Sequence, residues 1–456
     1  MKSPLPKVLH PVAGVPAIKK VIDAVKWAGA SEIRIVVGYG EALVRKVVEP
    51  LSVPSTAITC YPQTNQWGTA DAVKSADPAT LKGEVLILCG DTPLIEVSDI
   101  EKILREFRAS KADLAVVSAV VKKPGNLGRI VRHHGDLRAI VEAADASADT
   151  LKITEINTGV YIAKAETLAE YLPKIQNHNA KGEFYLTDII SICLEAGEKV
   201  TAIRARASVG FGVNTQAELA QATRLLFARK RTALMDEGVL MIDPKTIYIE
   251  EEVEVGPGTV LYPSVYLRGR TKIGAYCVLE PGCYLAHAKV SDGVHVKAYS
   301  YFENCSIGAK AQIGPFARLR PETEIGAEAH IGNFVEMKKA KFGARSKAGH
   351  LTYIGDATVG EDVNIGCGTI TCNYAVDRKK YRTVIGDRVF VGSDTQFVAP
   401  VEIGADAVIA SGSTITENVP AKALAVARGR QVNKENWQPS KPEAAAPSGS
   451  NVKEVE

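Results

Sequence analysis

The 456-residue chain lacks several features that would classify it early. No apolar run approaches the ~18–20 residues that span a bilayer, and no charged-then-apolar signal sequence is visible. A membrane partner is therefore not expected. There is no charge excess either, since 55 Lys and Arg against 52 Asp and Glu leave a net +3. That balance disfavours nucleic acid as a partner, but leaves room for a local cation cluster that binds a phosphorylated small molecule. The eight cysteines, Cys60, Cys89, Cys193, Cys277, Cys283, Cys305, Cys367 and Cys372, include no CxxC pair. Scattered thiols beside apolar residues argue against a zinc cluster and suit a reducing, cytoplasmic compartment.

The chain is too long for one ordinary core, so at least two domains are expected. Two different periods divide it. Up to about Asn214, apolar strands alternate with helical segments. IRIVVG (33–38), EVLILCG (84–90), ADLAVVSAV (112–120) and TGVYIA (158–163) read as strands; PAIKKVIDAVKWAG (16–29) and SDIEKILREF (98–107) read as helices. Near-continuous apolar strands separated by helices predict a mostly parallel sheet covered on both faces, an α/β domain. Residues 216–237 are rich in helix formers, without proline or glycine, and predict a connecting helix.

Beyond that helix, apolar residues recur every six positions. Val255, Leu261, Leu267, Ile273, Leu279 and Leu285 form one such run, and Ile385, Val391, Phe397, Ile403, Ile409 and Ile415 another. Neither a helix nor a plain strand has this period. A triangular parallel β-helix does, because one flat side plus one corner uses six residues. The last stretch, 438–456, is polar and rich in Pro, Ser and Ala, and disorder is expected there.

These halves and a dense set of motifs resemble one bacterial family. The motifs are LPKVLH, QWGTADAV, GDTPLI, NLGRIV, EINTGVY, GVN, IGPFARLRP, GNFVEMKKA, KAGHLTYIGD, NIGCGTITCNY and VGSDTQFVAP, spread from Leu5 to about Arg428. The family is the bifunctional N-acetylglucosamine-1-phosphate uridylyltransferase/glucosamine-1-phosphate acetyltransferase, which makes UDP-N-acetylglucosamine for peptidoglycan and lipopolysaccharide. The resemblance implies an α/β nucleotidyltransferase (Rossmann-like) domain over 1–215 and a helical linker over 216–237. A left-handed parallel β-helix of hexapeptide repeats then covers 238–437. It also implies a homotrimer with acetyltransferase sites between subunits, acetyl-CoA as donor, and Mg²⁺.

In the β-helix half, His350 sits in SKAGHLTY, where the six-residue register breaks between Met337 and Val359. The break predicts a loop leaving the wall, and functional residues favour such loops. Read alone, His350 is a surface histidine. The resemblance makes it the base that deprotonates the glucosamine amine. It makes Arg320, Lys338, Tyr353 and Asn364 the sugar-phosphate binders. Cys367, Asn373, Tyr374, Ser393, Ser411 and Arg428 fall where the family contacts acetyl-CoA. On position alone, Arg320 and Lys338 are outward charges on a coil and Arg428 is a tail charge. One departure stands out: after Asn373-Tyr374 the chain reads AVDRKKYRT where the family usually continues Asp-Gly, so Lys380 becomes the match to a family lysine, with Lys379 the other option.

In the first half, Asp91 follows the strand VLILCG, at the edge where such sheets bind ligands. A turn aspartate is the plain alternative. The resemblance makes Asp91 and Asn214 Mg²⁺ ligands, with Asn214 also touching the nucleotide. It places Gln63, Gly68 and Thr69 at uracil, Gly128, Glu142 and Asn157 at the sugar, and Lys7 at the phosphates. The family opens with a strand and a turn of the form AAGxGTRM, and Met1 aligns with its final methionine. The sequence as it stands carries neither, so an incomplete first site is expected for this exact extent. Either the start belongs at an upstream codon and the native chain is bifunctional, or the protein is an acetyltransferase with a disabled uridylyltransferase half. A zinc enzyme with three histidines at a subunit interface and a non-enzymatic trimeric scaffold are the rival classes; the histidines show no partnering pattern, and a scaffold needs no irregular segments at His350 and Tyr374.

Overall fold

The computed structural model describes residues 1–439. The tail expected to be disordered thus lies almost wholly outside the described residues. The first domain contains β1 (Pro11–Val12), β2 (Val15–Pro16), α1 (Ala17–Trp27), β3 (Glu32–Val37), α2 (Glu41–Val48), β4 (Ala57–Pro62), α3 (Thr69–Ser75), β5 (Glu84–Ile87) and α4 (Val97–Ser110). It continues with β6 (Leu114–Val120), β7 (Arg129–His133), β8 (Asp136–Val141), β9 (Glu155–Lys164), α5 (Ala165–Tyr171), α6 (Ile189–Glu195) and β10 (Val200–Arg204). Helix α1 buries Ile18, Val21 and Ile22, the spacing of one amphipathic face.

The sheet differs from the expected one. Its order is β10-β6-β9-β7-β8, with β5 also on β9. Only β10–β6 is parallel; β6, β5 and β7 all run antiparallel to β9. The parallel pair β3–β4 stands apart from this sheet. The misreading has a physical cause. Helices cover both faces, so β6 and β9 are apolar on both sides, and burial on two faces carries no information about strand direction.

Helix α7 (Gln216–Asp236) begins with a reciprocal cap: Thr215 Oγ1 accepts from Glu218 N at 3.1 Å, and Glu218 Oε2 accepts from Thr215 N at 2.8 Å. It leads into a parallel β-helix of three sheets with 11, 10 and 9 strands. The first face runs from Leu240–Met241 to Leu424–Ala425, the second from Tyr248–Ile249 to Thr414–Ile415, and the third from Glu254–Val255 to Val401–Ile403. The inward residues stack rung on rung, as Leu261 on Leu279 and Leu267 on Leu285, and the six-residue series is buried throughout.

The break near His350 is not a loop leaving the wall. The buried series runs Met337, Phe342, Ala348, Ile354, Val359, with steps of five, six, six and five residues. Two corners are one residue shorter, and His350 ends a wall strand, Lys347–His350. The excursion comes later: Thr371 is buried on the second face, and the chain rejoins the wall at Thr383–Ile385. Between them Tyr374 pairs antiparallel with Lys380, and Tyr381 N donates to Asn373 O at 2.9 Å, so the segment is a small hairpin.

Phe302 is fully buried in this narrow core, where neighbouring rungs cannot collapse around a void. Phe302→Ala should cost about 3–5 kcal/mol of stability. Denaturant unfolding of the whole chain, followed by far-UV circular dichroism, checks this, and a midpoint unchanged from the parent would contradict the stacked core.

Candidate active sites

The corner between the first and second faces carries one chemical column. Ala348, Ile365, Val391 and Ile409 stack inward on successive rungs. The residues two places on from each are His350, Cys367, Ser393 and Ser411. They are locked by rung-to-rung hydrogen bonds: Asp394 N to Cys367 O at 2.7 Å and Gly412 N to Ser393 O at 2.8 Å. Arg428 closes the column, its Nη1 donating to Ser411 O at 3.0 Å. One rung before His350 stands Asn333, whose Oδ1 lies 2.7 Å from His350 Nδ1. An amide oxygen can only accept, so with Oδ1 facing the ring Nδ1 is the donor, and in the neutral imidazole the lone pair lies on Nε2, the tautomer a base needs. His350 itself is exposed. Asn333 was missed in the sequence, yet subtracting one rung from His350 would have found it.

A second group sits at the far edge of the second face. Arg320 Nη1 pairs with Glu336 Oε1 at 2.8 Å, and Glu336 stacks under Tyr353. The charges of Arg320 and then Lys380 depress the proton affinity of the Lys338 ammonium. Three cations with one carboxylate among them form a site for an anion. Asn373 and Tyr374 start the hairpin that brings Lys380 here, and Asn373 Nδ2 donates to Asp356 Oδ2 at 2.5 Å. The expected acetyl-CoA set is thus divided: four members line one corner, while Asn373 and Tyr374 lie at the other. Asn364 is also apart. It pairs with Lys347 on the first face, not with the Arg320 group on the second.

In the first domain, Lys7, Asp91 and Asn214 converge. Lys7 Nζ donates to Asp91 Oδ2 at 2.5 Å and to Asn214 Oδ1 at 2.9 Å. Two oxygens already aimed at one cation are the donor type that Mg²⁺ takes. Gln63 Nε2 donates to Gly68 O at 3.2 Å and to Asp71 Oδ2 at 2.7 Å. Gly68 has φ 124°, and a Cβ there would stand 2.5 Å from Phe184 O, so only glycine fits. Thr69 Oγ1 accepts from Leu186 N at 2.9 Å.

The third trio also meets. Asn157 N donates to Gly128 O at 2.9 Å, and a Cβ on Gly128 would lie 3.2 Å from Glu142 Oε1. Asn157 Nδ2 donates to Tyr161 OH at 2.8 Å. Burial raises the pKa of Glu142, Asp145 and Asp188 add to the rise, and Lys181 opposes it. Asp188 is raised as well, by burial and then by Asp145. Close by in sequence, the buried Tyr185 OH has no hydrogen-bond partner among the described residues, and Thr187 is buried beside it and lowers the pKa of Glu142. The residues 185–188 come from a segment over forty positions beyond Glu142, and nothing local in the sequence marks them.

Comparison with known proteins finds similarity in both halves of the chain. Residues 1–155 match the MobA-like NTP transferase domain, and residues 382–417 match the bacterial transferase hexapeptide (six repeats). A bifunctional protein GlmU of Bdellovibrio bacteriovorus is 62% identical over 96% of this chain and 94% of its own length. Proteins of the same name from Shouchella clausii and Geotalea uraniireducens are 43% and 44% identical, over 96% of this chain and 95% and 96% of theirs.

The raised Glu142 carries a pH prediction. A folded-state pKa above the unfolded value means stability is greatest below the ordinary carboxylate range and falls as pH rises through the raised pKa. Glu142→Gln should therefore raise the thermal unfolding midpoint at neutral pH and leave it unchanged in acid. Scanning calorimetry at both pH values tests this, and equal midpoints at neutral pH would refute the desolvated, half-buried charge.

Proposed function

The chain belongs to the family of the bifunctional protein GlmU, and on that premise we propose how its two sites work. It is a transferase with two activities. One moves acetyl from acetyl-CoA to glucosamine 1-phosphate. The other moves uridylyl from UTP to N-acetylglucosamine 1-phosphate. The acetyltransferase-only alternative is not favoured, because relatives aligned over nearly their whole length carry the bifunctional name.

We assign uridylyl transfer to residues 1–215, the connection to 216–237 and acetyl transfer to 238–437. At the acetyl site, His350 Nε2 takes the proton from the amine of glucosamine 1-phosphate. The amine then forms a C–N bond to the acetyl carbonyl carbon, the C–S bond breaks, and coenzyme A leaves as a thiol. Asn333 holds the tautomer that makes this possible. Arg320, Lys338 and Lys380 receive the phosphate, which relieves the repulsion around Lys338. Tyr353 and Asn364 address the sugar. The column Cys367, Ser393, Ser411 and Arg428 forms a track for acetyl-CoA, with Asn373 and Tyr374 reached across the opposite edge.

A homotrimer explains why the partners stand on different faces of one chain: a site between copies draws one face from each. The corner beside His350 supports this reading. Tyr299, Phe316, Phe334 and Leu351 stack there, all exposed, with ring centroids 5.4 Å apart along the aromatic part. A cytoplasmic location suits the eight free thiols, and among the described residues no helix is long and apolar enough to cross a membrane.

At the uridylyl site, Gln63, Gly68 and Thr69 hold uracil, while Gly128, Glu142 and Asn157 hold the sugar. Lys7 meets the phosphates. A phosphate oxygen of the sugar attacks the α-phosphorus of UTP, and the bond to pyrophosphate breaks. Asp91 and Asn214 would hold Mg²⁺, which when bound gathers phosphate oxygens and offsets their charge.

The observation that carries this reading is the single column joining His350 to Cys367, Ser393 and Ser411. His350→Ala should lower acetyl-transfer kcat by roughly 10²–10⁴-fold and leave uridylyl transfer intact. Asp91→Asn should do the reverse. Thiol release and pyrophosphate release, measured on the same preparations, separate the two, and loss of both activities in either variant would sink the division. Asn333→Ala should reduce acetyl-transfer kcat by about tenfold with little change in KM for acetyl-CoA, as expected for a residue that orients the base.

A further inference from the structure

The residues around Lys7 share one buried apolar cluster. Val12 and Ala13 follow Lys7 on the β1–β2 hairpin, Leu94 follows Asp91, and Val213 precedes Asn214; all four pack with Phe227 of α7. The hairpin has two residues per strand and a turn whose central residues, Ala13 (φ 51°) and Gly14 (φ 90°), are both left-handed. A hairpin this short does not hold its own position. Beside that cluster, its turn rests on the other domain.

Glu250, in the first coil of the β-helix, is 8% exposed and lies directly under Gly14. A Cβ on Gly14 would stand 2.5 Å from Glu250 Cδ. The carboxylate cannot swing aside. Its Oε1 accepts from Arg268 Nε at 2.8 Å, and its Oε2 accepts from Gly269 N at 2.7 Å. Glu251 N donates to Ala13 O at 3.4 Å, and Lys20 pairs with Glu251 at 2.9 Å. In that last pair Lys20 is largely buried and Glu251 is half exposed. The Glu250 contact is the more rigid one, because both of its carboxylate oxygens are held.

We infer that Glu250 is a positioning residue for uridylyl transfer, although it stands in the acetyltransferase domain. It buttresses the hairpin turn and so sets Lys7 against Asp91 and Asn214. The inference rests on the uridylyl reading given above. It makes the first coil of the β-helix part of the frame of the other site.

The test uses the full chain with Glu250→Ala, Glu250→Gln and, as a surface control, Lys272→Ala, which removes an exposed ion pair with Glu254. Glu250→Ala should lower uridylyl kcat/KM for UTP about tenfold, since small displacements of a phosphate-binding group are costly. Glu250→Gln keeps the volume under Gly14 and should lose no more than about threefold. Acetyl transfer should stay within about twofold in every variant, and Lys272→Ala should match the parent in both reactions. An active parent with an unaffected Glu250→Ala overturns the inference alone. Equal losses in both reactions also overturn it, because the effect is then general to the fold. A parent without uridylyl transfer overturns the functional reading, and the inference with it.

Discussion

Rung-on-rung stacking of one inward apolar residue per six is the constraint from which most of this molecule follows. Once Ile331, Ala348, Ile365, Val391 and Ile409 must lie above one another, the residues at a fixed offset must also form a column. The β-helix therefore turns a sequence period into a line of aligned side chains. Asn333, His350, Cys367, Ser393 and Ser411 stand in that line. Each is held by a neighbour above and below, with no local fold of its own. The same stacking explains the bulky left-handed residues Tyr299, Phe316 and Phe334, whose conformational cost recurs on consecutive rungs at one corner.

The first domain solves the problem differently. Its site has no period, and Lys7, Asp91 and Asn214 come from positions far apart in the chain. What unites them is a shared apolar cluster of Val12, Ala13, Leu94 and Val213 behind the polar atoms. Burial drives that cluster together, and the polar tips follow from its shape. The cap at Thr215 then fixes the direction of α7 and the place of Asn214 at its head.

The two strategies differ in how readable they are. The hexapeptide series was legible to the residue, because a fixed period averages out the ambiguity of any single position. The strands 33–38, 84–90, 112–120 and 158–163 were legible as strands, but not in direction, since a strand buried on both faces looks alike whichever way its neighbour runs. The five-residue corners near His350 looked like a departing loop because a one-residue shortening and an insertion both break a count of six. The tie between Glu142, Asp145 and Asp188 left no mark in the sequence, as carboxylates at such separations read as ordinary surface charge.

By itself the sequence determined the α/β half, the β-helix, the helix between them and the residue types able to do the chemistry. These depend on local periodicity, composition and motif, which the chain carries in order. Tertiary structure alone decided that β9 runs against its neighbours, that Asn333 faces His350, that Asn364 stands on a different face from Arg320, and that Glu250 meets Gly14. Each of these is a contact between distant segments, set by how whole elements pack. Packing depends on the shapes of both partners at once, and no one stretch of sequence contains both.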